Sequence, residues 1–102
     1  MTKLICAQCG DPIKTIEGGW VEWLRTDKPV EGSLRIVHHV TEKKGCQYKK
    51  HQLASDQRLY DLPLDWFKGV GGYDNVLEII EGNSVTQKDG FALLRQLWEA
   101  NL

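Results

Sequence analysis

Two cysteines three residues apart, in Cys6-Ala7-Gln8-Cys9-Gly10, constrain this chain more than any other feature. That spacing lets one backbone knuckle present two thiolates to the same ion, with Gly10 free to take a positive φ. The third and last cysteine is Cys46, and an odd total excludes a closed disulfide framework. A redox dithiol would follow a strand and open a helix within a βαβ pattern. Here Asp11-Pro12 follows instead, which leaves a metal site as the favoured reading and buried structural thiols as its rival. Zn²⁺ suits thiolate and imidazole donors and takes four ligands in a tetrahedron. With three sulfurs supplied, the fourth donor comes from His38, His39 or His51. The expected set is Cys6, Cys9, His39 and Cys46, because His39 is nearer the turn leading to Cys46, with His38 as the alternative ligand. The unused neighbour then orients the ligand or sits exposed. His51, in a lysine-rich stretch, reads as a solvated side chain.

Around these residues the first half reads as strands and turns. Trp20-Val21-Glu22-Trp23-Leu24-Arg25 is rich in aromatic and β-branched residues, as a pleated surface prefers. A Pro/Gly-containing break at residues 26–32 separates it from Leu34-Arg35-Ile36-Val37-His38-His39-Val40. Two strands so joined predict an antiparallel hairpin, with Leu34, Ile36, His38 and Val40 on one face of the second. Residues 56–102 read as helical, with 56–62 as a seam. Pro63 suits the start of a short helix ended by Gly69, Gly71 and Gly72. A second helix over 73–81 is stopped by Gly82-Asn83. Ser84-Val85-Thr86-Gln87 reads as a capping box opening a third helix, with Phe91, Leu94, Leu97, Trp98 and Leu102 on its apolar face. Gly90 within it predicts an imperfect helix. The expected fold class is therefore α+β: a zinc knuckle plus β-hairpin packed against C-terminal helices, a single domain over residues 1–102 with parts 1–55 and 56–102.

The formal net charge of -1 hides an asymmetry. Residues 1–55 hold nine Lys/Arg against six Asp/Glu, and residues 56–102 hold four against eight. Near neutrality argues against a dedicated nucleic-acid coat, and the nine aromatic residues argue against disorder. No apolar run approaches the roughly 20 residues needed to span a bilayer. With no signal-peptide core after Met1-Thr2-Lys3 and with unpaired thiols, the expected compartment is the cytoplasm.

The C-x-x-C-G knuckle, the hairpin and the later ligand resemble zinc-ribbon and treble-clef proteins over about residues 4–50. The string Ile36-Val37-His38-His39-Val40 is also similar to the paired-histidine strand of HNH-type nucleases. That resemblance implies a general base at His39 and a metal-holding residue at His38. The Asn and final helical His of that family have no well-spaced counterparts here, and the second C-x-x-C is missing. As a whole the chain looks like small bacterial or phage proteins that begin with such a knuckle.

Three functions are weighed on these grounds. The favoured one is a binding module whose zinc is closed and structural, with the helical half facing a protein partner. The next is nucleic-acid binding through Lys43, Lys44, Lys49 and Lys50, which would contact phosphates. The last is a degenerate HNH-like metal-dependent nuclease. An enzyme is the weaker reading because four engaged ligands leave no open coordination position.

Overall fold

The computed structural model describes residues 4–102. A three-stranded antiparallel sheet packs against two C-terminal helices, as an α+β fold. The strands are β1 (Gly19–Arg25), β2 (Arg35–His38) and β3 (Arg58–Pro63). The helices are α1 (Gly69–Glu81) and α2 (Gln87–Glu99), and a short 3₁₀ turn at Leu64–Phe67 joins sheet to helices. Among the described residues no helix is long and apolar enough to cross a membrane.

The expected hairpin forms, with Gly19 opposite His38 and Glu22 opposite Arg35. The seam at residues 56–62 is not helical. It contributes β3, which pairs along the other edge of β1 from Trp20–Pro63 to Arg25–Arg58, so β1 is the central strand. Both faces of β1 are covered as well: Val21 and Trp23 enter the core, while Glu22, on the opposite face, is fully buried beneath Tyr48 and Arg35.

Glu22 is a charge in the middle of a strand, and its partners account for it. Arg35 Nε donates to Glu22 Oε2 at 2.7 Å, and the backbone N–H of Tyr48 donates to the same carboxylate at 3.0 Å. The Arg35 guanidinium lies 3.7 Å from the Tyr48 ring centroid. Burial pushes the Glu22 carboxyl above its ordinary 4.5, against the opposing pull of the Tyr48 N–H and Arg35. A raised value in the folded state contributes stability below pH 4.5, and that contribution is lost as pH rises through the folded value. Glu22→Ala, which strands Arg35, is therefore expected to cost about 3 kcal/mol in denaturant unfolding. Glu22→Gln keeps an acceptor and is expected to cost less, and its deficit against the parent should narrow as pH rises above 4.5. Equal costs for the two variants would show that the pair contributes nothing specific.

The helices obey local chemistry with four departures from expectation. Gly69, Gly71 and Gly72 open α1 instead of ending a helix. Gly72 is where α1 meets the preceding turn: a Cβ there would collide with the carbonyl carbon and oxygen of Phe67. Gly82-Asn83 does end α1, with Asn83 at φ 56°. The cap of α2 is Thr86, whose hydroxyl accepts from Asp89 N at 3.1 Å, and Ser84 is left in the connecting loop. Helix α2 is continuous through Gly90, which is buried where a Cβ would meet the Ile80 side chain. Its inward face is Gly90, Leu93 and Leu97, whereas Phe91 and Trp98, expected inside, are exposed. Arg25 Nη1 donates to the Asn83 carbonyl at 2.8 Å, and Gly32 N donates to Asp89 at 2.8 Å, fastening the helix pair to the hairpin.

Candidate metal centre

Residues 5–12 form a tight loop closed by Cys6 N–H to Asp11 O and Gly10 N–H to Cys6 O, both 2.9 Å, with Gly10 at φ 81°. The Ala7 N–H donates to Ile36 O at 2.9 Å, so the knuckle is laid along the free edge of β2. This contact brings Cys6 to the end of that strand, where the His38 N–H donates to Cys6 Sγ at 3.4 Å.

Cys46 arrives from the other side. The chain turns over residues 39–45, with Glu42 and Lys43 N–H both donating to His39 O at 3.0 Å. Arg35 then captures the Cys46 carbonyl through Nη2 at 3.1 Å and the knuckle's Gln8 through Nη1 at 2.7 Å. Arg35 and Glu22 are thus positioning residues: they tie the knuckle and residues 46–48 to the sheet. Sequence reasoning did not single them out. Their signal, opposite charges on paired strands, becomes legible only with the hairpin register, which sets Glu22 opposite Arg35.

The ligand atoms of Cys6, Cys9, His38 and Cys46 all lie within 4.8 Å of one another. His38 Nδ1 is 3.4 Å from Cys9 Sγ and 3.7 Å from Cys46 Sγ. A tetrahedral ion with sulfur at 2.3 Å and imidazole nitrogen near 2.0 Å separates those donors by about 3.6 Å. The four side chains therefore fit one small ion of that geometry and could hold a metal. The fourth donor in the cluster is His38, not His39. Adjacent residues on a strand point to opposite faces, and the Ala7–Ile36 contact places the knuckle toward His38. The His39 ring instead lies 4.6 Å from the Trp20 ring, and its Nδ1 is 2.7 Å from Thr41 Oγ1.

The outer nitrogen of His38 is held as well: Nε2 is 3.0 Å from Pro12 O and 3.2 Å from Glu42 Oε2. Such partners fix the tautomer and aim Nδ1 at the sulfurs. The sulfurs themselves are unequal. Burial pushes the Cys6 thiol up, but the backbone N–H groups of Cys9, His38 and Gln8 outweigh it and bring it down to about 6. Burial, and then the Cys6 and Cys9 sulfurs, push Cys46 up to about 11. Three crowded sulfurs cannot all ionise unaided, and a bound cation removes that conflict.

The lysines expected to form a basic patch are divided. Lys43 makes a 2.6 Å ion pair with Asp11 beside the knuckle, while Lys44, Lys49 and Lys50 are exposed. His51 is exposed, as expected. Against known protein families, curated proteins and solved structures, the chain finds no match.

Proposed function

We propose that Cys6, Cys9, His38 and Cys46 bind one Zn²⁺ as a structural clamp, and that the chain works as a protein-interaction module. The observation that carries this reading is the convergence of four donor atoms within 4.8 Å. Three thiolates and an imidazole suit zinc among the available divalent ions. With all four tetrahedral positions filled by side chains, neither water nor substrate has a place on the ion. The clamp therefore contributes to folding and leaves recognition to the surface. The support for an interaction role is the display of Phe91 and Trp98 on the outer side of α2, 53% and 71% exposed.

Metal analysis of purified protein tests the clamp. About one zinc per chain is expected in the parent and in His39→Ala. His38→Ala is expected to bind at least about tenfold more weakly, since it loses a ligand. Parent protein purified without chelators and free of metal would refute the clamp. A His39→Ala variant that loses zinc while His38→Ala keeps it would reverse the ligand assignment.

A further inference from the structure

The outer face of the α1–α2 pair carries a groove of about 510 Å³ lined by Tyr73, Leu77, Phe91, Leu94, Arg95 and Trp98. We infer that this face is a self-association surface on which two copies of the chain join their helix pairs into a two-fold four-helix arrangement. The inference rests on the interaction-module reading and names its partner as a second copy.

The argument comes from the charges beside the groove. Winding α1 at 3.6 residues per turn, Val76 and Ile80 point to the core and Tyr73 and Leu77 line the groove. The next positions round the helix are Asp74, Glu78 and Glu81, all exposed. On α2, Leu93 and Leu97 point inward and Leu94, Phe91 and Trp98 line the groove. Beyond them come Arg95, on the rim of the groove, then Lys88 and Glu99, all exposed. The groove thus has a bank of three carboxylates on α1 and, on α2, a bank where two cations outnumber one carboxylate. Among the described residues none of these six charges makes an ion pair.

A two-fold axis running along the groove sets α1 of one copy over α2 of the other, and acid meets base twice. The perpendicular axis would set acid on acid. The favoured axis also makes every neighbouring helix antiparallel, the arrangement of an up-down bundle. Each helix has 13 residues, about 20 Å of length, and two helices about 10 Å apart offer a face near 20 Å square. Two such faces meeting cover about 800 Å² in all, below the usual range for stable specific complexes. The expected dimer is correspondingly weak, with a dissociation constant of about 10–100 μM.

The test is sedimentation equilibrium of the 102-residue chain, purified without chelators, at about 50 mM salt, where charge pairing is little screened. One variant carries Lys88→Glu and Arg95→Glu, and a second carries Asp74→Lys and Glu78→Lys. Each alone is expected to dimerise at least about tenfold more weakly than the parent. Mixing the two should restore association to within about threefold, because each supplies the bank the other has lost, and one chain with all four changes should self-associate like the parent. A parent that is monomeric at several hundred micromolar overturns the inference, and so does a mixture no better than its components. Zinc content measured on the same samples separates the two proposals. Monomeric protein with one zinc refutes only this surface, while a dimer without zinc supports the surface and refutes the clamp.

Discussion

Under the proposed zinc clamp, removing the ion with a strong chelator is expected to unfold the parent protein at room temperature, or to lower its melting temperature by at least about 15 °C. The reasoning is a comparison of sizes. Structural zinc sites are worth about 10–16 kcal/mol of apparent binding free energy, whereas domains of this length are stable by only about 5–15 kcal/mol. In a chain of 102 residues each kcal/mol corresponds to about 4–8 °C. The sulfurs sit on the knuckle and beyond the hairpin, so without the ion nothing offsets the crowding of Cys6 and Cys46, both buried. Cys46→Ser should produce the same loss without chelator, and added zinc should not rescue it. The check is circular dichroism across a thermal ramp, with and without chelator. Unchanged melting of zinc-loaded protein after the metal has been stripped would show that the sulfurs and His38 hold the fold without an ion.

The second large effect is expected at Gly72. Replacing a helical glycine by alanine ordinarily stabilises by up to about 1 kcal/mol. At Gly72 the new methyl would overlap the Phe67 backbone, which cannot rotate away as a side chain could. Helix α1 must then lift from the Leu64–Phe67 turn, where Leu64 and Phe67 are both buried in the core. Gly72→Ala is expected to cost about 3 kcal/mol, a fall in melting temperature of about 12–24 °C. Gly71→Ala, one residue earlier and facing open space, is the control and should be neutral or stabilising by about 0.5 kcal/mol. If both substitutions behave alike in denaturant titration, the close approach of α1 to the turn is not a constraint on this fold.

Sequence reasoning reached the parts governed by local rules. The knuckle, the hairpin and the glycine-asparagine stop of α1 each rest on a few neighbouring residues, and each is found. What it missed depends on distant contacts. Residues 58–63 contain Asp61 and end at Pro63, a poor strand composition, and they become β3 because β1 has a vacant edge to pair with. His38 and His39 differ by which face of β2 they occupy, and the knuckle's attachment through Ala7 and Ile36 decides between them. Thr86 displaces Ser84 as a cap because Ser84 and Val85 N–H are drawn back to the Ile79 carbonyl at the end of α1. The apolar arc of α2 was identified but turned too far. Gly90 has no side chain to signal burial, although it sits at the contact between the helices.

The middle position of β1 has a consequence for the order in which the protein can be made. Its β2 partner begins ten residues after β1 ends, at Arg35, but its β3 partner begins only at Arg58. A chain that has closed the hairpin but not yet docked residues 58–63 therefore leaves the second edge of β1 open. In that state Val21, Trp23 and Leu24 sit beside an unsatisfied row of peptide groups, an invitation to pair with another chain. The charges at Glu22 and Arg25 interrupt that sticky stretch, so Glu22, whose pair with Arg35 orders the finished site, also guards the strand before the site exists.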